Sequence, residues 1–111
     1  MESTIEGRLL RVFICESDQR DGLPLTEAVV DALRAEGIAG ATVLRGVAGY
    51  GGSAVLHTTH VLRLSEDLPM VIEAVDSVEK IDAVVPRIQE LVGGGLITTQ
   101  NVEIHILPPA N

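Results

Sequence analysis

The sequence predicts an α+β fold on the ferredoxin-like βαββαβ plan, a four-stranded antiparallel sheet with two helices on one face. Three observations point there. Short, mostly apolar runs at Leu9–Cys15, Ala41–Val47 and Pro69–Val75, with Leu96–Thr98 and Val102–Leu107 at the end, have the length and residue types of strands. Pro24–Glu36 and Val78–Val92 instead repeat apolar residues at intervals of three and four, the signature of helices with one buried face. The length, 111 residues, leaves room for one core. We therefore expect one domain over residues 1–111, with its core within about residues 9–107.

The elements follow in order. Leu9–Cys15 reads as a buried strand, closed off by Asp18, Gly22 and Pro24. Leu25, Ala28, Val29, Ala32 and Leu33 share one helix face; Pro24 suits its first turn and Gly37 the residue past its end. Ala41–Val47 is the second strand. A glycine-rich stretch runs to about Ser53, and His60–Leu64 is again strand-like. Pro69–Val75 leads into the second helix, where Asp76 is placed to cap and Glu79 to complete a capping box. That helix carries Val78, Ile81, Val85, Ile88 and Val92 on one side; Pro86 inside it should kink it or remove one backbone bond, and Gly93–Gly95 ends it. Leu96–Thr98 and Val102–Leu107 supply the last strand, with Val102, Ile104 and Ile106 alternating against Glu103 and His105. Met1–Gly7 and Pro108–Asn111 read as loose tails.

Two helices cover one face of such a sheet. Yet Leu9–Cys15 and Met70–Val75 carry apolar side chains on both faces. An apolar face without helices calls for a partner, most simply another copy of the chain.

Composition removes several function classes. Eight Lys and Arg stand against sixteen Asp and Glu, a net charge of −8, so a phosphate-backbone binding face is excluded. Phe13 and Tyr50 are the only aromatics, too few for base-stacking platforms. Cys15 is the only cysteine, which rules out an internal disulfide and a Cys-rich zinc site. No apolar run approaches the ~20 residues that span a bilayer, and the acidic N-terminal segment is unlike a signal peptide. A reducing cytoplasm is the expected location, with no membrane insertion.

The segment Gly40–Gly52 (GATVLRGVAGYGG) is the most informative. Clustered glycines permit positive φ and close approach of the backbone to a ligand, and successive amides can form an anion-binding nest. Arg45 lies on the strand leading in and Arg63 on the strand leading out. Two readings fit: an anion or nucleotide loop, or a long hairpin whose glycines merely allow a tight excursion. His57 and His60 are weak metal candidates, because in an extended chain residues three apart point to opposite faces. A metal-binding or metal-tolerance oligomer using His57, His60 or His105 with nearby carboxylates is the alternative. Cys15 reads as a buried apolar residue, Ser17 and Asp18 as organisers of the loop before the first helix, and Glu66–Asp67 as a solvated turn. No base and nucleophile stand at motif spacing, so no catalytic residue and no enzyme activity are expected. Glu73, in an apolar strand, requires a cationic mate, Arg11 or Arg63.

ESD at Glu16–Asp18, GATVLRGVAGYG at Gly40–Gly51, HTTHVLRLSEDLP at His57–Pro69 and VIEAVDSVEKI at Val71–Ile81 together resemble an uncharacterised PII-like family of bacteria and archaea. The resemblance covers about Leu9 to Ile106. It implies a trimeric signal-transduction subunit that binds adenine nucleotides in clefts between subunits and contacts a protein partner through a long loop. Gly49-Tyr50-Gly51 resembles the Gly-Phe-Gly at the base of the PII T-loop, where backbone meets phosphate. His57-Thr58 resembles the His-Thr beyond it, and Gly95-Leu96-Ile97 lies where PII proteins carry a Gly-Lys-Ile phosphate loop. The resemblance thus points Gly49, Tyr50, Gly51 and Gly95 to nucleotide binding, and Tyr50, Gly52, Ser53 and His57 to the partner loop; Arg45, Gly46 and Arg63 join the nucleotide set from their place in and beside the glycine-rich segment. Gly52 replaces a PII arginine and Leu96 a lysine, which favours AMP or cyclic AMP over ATP. Family members are often encoded beside fluoride-export membrane proteins, which implies a transporter of that kind as partner.

Overall fold

The computed structural model describes residues 3–50 and 67–109. Its elements in chain order are β1 (Ser3–Cys15), β2 (Gln19–Arg20), β3 (Leu23–Pro24), α1 (Leu25–Ala35), β4 (Ala41–Arg45), β5 (Pro69–Ser77), α2 (Val78–Val92) and β6 (Leu96–Ile106). The main sheet has the order β4-β5-β1-β6 and is antiparallel throughout; β2 and β3 form a small separate ribbon. This is the βαββαβ plan, with β1 central and paired on both sides.

Alternation explains the core. Leu10, Val12 and Ile14 of β1 and Ile72 and Ala74 of β5 point toward the helices. They meet Val29, Ala32 and Leu33 of α1 and Ile81, Val84 and Ile88 of α2, all buried. Each such aliphatic side chain contributes roughly 1.5–3 kcal/mol on full burial. The opposite parity forms the other face: Leu9, Arg11 and Phe13 of β1, Val71, Glu73 and Val75 of β5, Leu44 of β4 and Leu96 of β6. Among the described residues no helix lies on that face, and Leu44, Val75 and Leu96 are exposed there. Arg11 Nε donates to Glu73 Oε2 at 2.7 Å, so the expected mate of Glu73 is Arg11.

The helix ends show the local chemistry. Pro24 precedes α1 without a side-chain cap; instead the Leu25 amide donates to the Asp18 carbonyl at 2.8 Å. At the other end Gly37 adopts φ +80°, and the amides of Gly37 and Ile38 return to the carbonyls of Arg34 and Leu33. That is the Schellman pattern, which a left-handed residue makes possible. For α2 the capping expectation is corrected by one residue. Ser77 caps, its hydroxyl accepting from the Lys80 amide at 3.3 Å. Asp76 is still a strand residue, and its carboxylate accepts instead from the amides of Ala39 (2.9 Å) and Ser77 (2.7 Å), tying the turn before β4 to the end of β5. Pro86 is accommodated within α2, which continues to Val92.

Several boundaries differ from expectation. Ser3–Gly7 is not a loose tail but the start of β1, paired with Val102–Ile106. Gly7 admits the neighbouring Ile104, whose Cδ1 would lie 2.2 Å from a Cβ at position 7. β6 is continuous through the polar stretch Thr99–Asn101, which pairs with Leu10, Leu9 and Arg8. β4 stops at Arg45 rather than Val47, and the β2–β3 ribbon is an addition to the expected elements.

Candidate functional site

At one end of the sheet the last residues of β1 and β4 lie beside the first residues of β5 and β6. Cys15 is opposite Pro69, Arg45 opposite Met70 and Phe13 opposite Leu96. The turn after β1 is fastened tightly here. The Glu16 amide donates to the Leu68 carbonyl (2.9 Å), the Cys15 amide to Asp18 Oδ2 (2.9 Å), and the Asp18 amide to the Cys15 carbonyl (3.0 Å). Ser17 donates its amide to Asp67 Oδ1 (2.8 Å) and its hydroxyl to Asp67 Oδ2 (2.5 Å). Ser17 and Asp18 organise the loop as expected. Asp67, still partly exposed, is in addition a bonded partner of Ser17. Cys15 is buried in contact with Leu68.

Arg45 stands at the β4 edge with its Nη2 2.7 Å from Glu16 Oε2. The Gly46 amide donates to the Pro69 carbonyl at 2.8 Å. A Cβ at Gly46 would sit 2.7 Å from Pro69 Cγ, and one at Gly49 would sit 3.1 Å from the same atom. Close packing on a proline ring thus leaves no room for a side chain at Gly46 and makes one a tight fit at Gly49. Their φ angles are not positive; among the described residues positive-φ glycines are Gly22, Gly37 and Gly93. Tyr50 follows, 80% exposed. Gly95 lies at the same end of the sheet on the opposite edge, where a Cβ would come 3.0 Å from the Phe13 carbonyl oxygen and 2.3 Å from the Val92 side chain. Arg20 of the small ribbon supports that edge by donating to the Glu90 carbonyl at 3.2 Å near the C-terminus of α2. Sequence pattern does not single out Glu16 or Arg20 for a role of this kind.

The structure therefore brings Arg45, Gly46 and Gly49 together, with Tyr50 next in the chain, and holds Gly95 apart. β4 and β6 are separated by two intervening strands, roughly 14 Å at about 4.8 Å per strand. Gly51, Gly52, Ser53, His57, His60 and Arg63, the strand-like stretch at residues 60–64, and Glu66 lie outside the described residues. His105 pairs opposite Thr4 at the far end of β1 and lies 3.2 Å from Glu103. Eleven residues of strand separate Thr4 from Cys15, roughly 36 Å, so His105 and Cys15 do not form a catalytic pair. Among the described residues no three His, Cys, Asp or Glu side chains are grouped to hold a metal ion, and no helix is long and apolar enough to cross a membrane.

The strand order, the two helices on one face and the loop leaving β4 define a PII-like fold. The same fold occurs in the protein CPII of Thiomonas intermedia K12, solved with ADP and bicarbonate: TM-score 0.64 and 17% identity, covering 92% of this chain and 91% of that one. A PII-like signalling protein of Thermus thermophilus gives TM-score 0.62 and 17% identity over 91% and 90%. GlnK of B. subtilis in complex with ATP gives 0.52 and 17% over 87% and 82%. In sequence, the chain belongs to the DUF190 family (Uncharacterized ACR, COG1993), which it matches over residues 7–104. It is 34% identical over 102 residues to UPF0166 protein MJ1524 of Methanocaldococcus jannaschii, covering 91% of this chain and 94% of that protein. A UPF0166 protein of Aquifex aeolicus is 33% identical over 105 residues, covering 93% and 97%.

Proposed function

We propose that the protein is a non-enzymatic PII-like regulator whose subunits form a homotrimer and bind a small adenine nucleotide in the clefts between them. The observation that carries this reading is the separation of the two candidate phosphate-contacting edges. Arg45, Gly46 and Gly49 on the β4 side and Gly95 on the β6 side occupy the same end of the sheet, yet one phosphate group cannot touch both within one chain. A ring of subunits brings the β4 edge of one copy to the β6 edge of the next. The uncovered apolar face supplies the surface for that association, because burying Leu44, Val75 and Leu96 removes exposed apolar area from water.

The relatives support the ligand class. CPII is described with ADP, AMP and bicarbonate, and GlnK with ATP. In this chain Leu96 follows Gly95 where PII proteins carry a lysine, and the whole chain has a charge of −8. A ligand with several negative charges is poorly served by so few cations, so AMP or cyclic AMP is favoured over ATP. Arg45 and Arg63 with the backbone of Gly46, Gly49, Gly51 and Gly95 would hold it. The segment carrying Tyr50, Gly52, Ser53 and His57 then meets a protein partner, for which the family resemblance favours a fluoride-export or other transporter at the cytoplasmic face of a membrane. Regulation requires the nucleotide to bind one state of that segment better than another. Calorimetric titration with AMP, cyclic AMP, ADP and ATP tests the ligand: we expect saturable binding with AMP or cyclic AMP tighter than ATP. No heat of binding for any of the four at millimolar concentration would refute it.

A further inference from the structure

We propose that Glu16 is a built-in competitor for the anion that Arg45 receives, a carboxylate that occupies the guanidinium until a phosphate displaces it. The proposal deepens the nucleotide-binding reading and rests on it. Glu16 Oε2 lies 2.7 Å from Arg45 Nη2, the separation of a charge-assisted hydrogen bond. A carboxylate and a phosphate offer a guanidinium the same planar pairs of oxygens, so both compete for one set of donors.

The surroundings fit displacement rather than a structural lock. The backbone of Glu16 is held by its own amide on the Leu68 carbonyl and by the flanking Ser17–Asp67 and Cys15–Asp18 bonds. None of these uses the Glu16 side chain. It can swing away while the turn stays in place. Both partners face water, with side-chain exposures of 53% for Arg45 and 38% for Glu16, so a ligand reaches the guanidinium without unfolding anything. An ion pair this exposed adds little to stability. Its effect falls on the ligand instead: each phosphate reaching Arg45 must first break the internal pair, and the freed carboxylate then stays nearby as a like charge.

Removing the charge should therefore tighten every ligand whose phosphate touches Arg45, and leave a ligand without a phosphate unchanged. Calorimetric titration of the wild-type protein, Glu16→Gln and Arg45→Gln with AMP and with adenosine tests this. We expect Glu16→Gln to bind AMP about three- to tenfold more tightly than wild type, the range set by release of one exposed ion pair and removal of one neighbouring charge. Adenosine affinity should be equal in the two proteins. Arg45→Gln should weaken AMP, and adding Glu16→Gln to it should bring a smaller gain than in wild type, because the like charge is then removed but no ion pair is left to release. If wild type binds AMP and Glu16→Gln binds it equally or more weakly, Glu16 is no competitor, while nucleotide binding stands. If neither protein binds AMP at millimolar concentration, nucleotide binding falls and the competitor role with it.

Discussion

The Gly46 amide donates to the Pro69 carbonyl, and a Cβ at Gly46 would lie 2.7 Å from the Pro69 ring. This contact sets where β4 ends and where the loop toward Tyr50 departs. Gly46→Ala should cost about 1–3 kcal/mol, because a proline ring on a paired strand cannot rotate away. Gly40→Ala is the control, since nothing lies within 4 Å of a Cβ there. Urea unfolding should separate the two: a clear loss of stability for Gly46→Ala and little for Gly40→Ala.

Arg11 and Glu73 face each other across β1 and β5 in the middle of the uncovered face, with Leu9, Phe13, Val71 and Val75 around them. In an isolated subunit the pair is partly solvated, and Glu73→Gln should cost no more than about 1 kcal/mol. In a trimer that buries this face, leaving Arg11 unpaired should cost about 3 kcal/mol. The difference is measurable as a thermal-stability loss that grows as protein concentration is raised into the range where wild type associates.

The same face supplies a test of assembly. Leu44 is 46% exposed and Leu96 56% exposed. A charge at either position would have to be buried on association, so Leu44→Asp and Leu96→Asp should sediment as monomers at concentrations where the proposed wild-type trimer assembles. Their far-ultraviolet circular dichroism should match wild type, because neither residue belongs to the helix-side core.

Asp76 sets an acid limb. Burial acts to raise its carboxyl, but the amides of Ala39 and Ser77 and the charge of Lys80 outweigh burial and hold it below its ordinary value of 3.8. A carboxyl depressed on folding stabilises the fold above its unfolded value, and that contribution is lost as pH falls through the lower folded value. Wild type should therefore lose stability below about pH 4. Asp76→Asn should lose less over that interval while starting from a lower stability at neutral pH. Urea unfolding between about pH 2.5 and pH 7 resolves the two slopes.

The helices and the inner strands are legible in the sequence because their signals are periodic. Leu10, Val12 and Ile14 alternate, and Val29, Ala32 and Leu33 recur at helical spacing, so pattern and burial coincide. The early start of β1 is hidden by polar residues: Thr4 and Glu6 flank Ile5, and its order comes from pairing with Val102–Ile106, a contact between the two ends of the chain. The β2–β3 ribbon does carry a local signal. Asp21 and Gly22, at φ 52° and 83°, make the Asp-Gly turn that joins two strands most tightly. At the candidate site the arginine and the glycines are legible as residue types, and Glu16 is visible only as part of a family motif. That Glu16 neutralises Arg45, and that Gly46 is small because of Pro69, depend on cross-strand register, which local pattern does not carry.

The most direct test is a crystal structure of the protein grown with AMP. We predict a trimer with one AMP in each cleft, its phosphate against Arg45 and Gly46 of one subunit and Gly95 of the next, and with Glu16 turned away from Arg45. AMP bound elsewhere, or clefts in which Arg45 and Gly95 of neighbouring subunits do not converge, would contradict the proposed site.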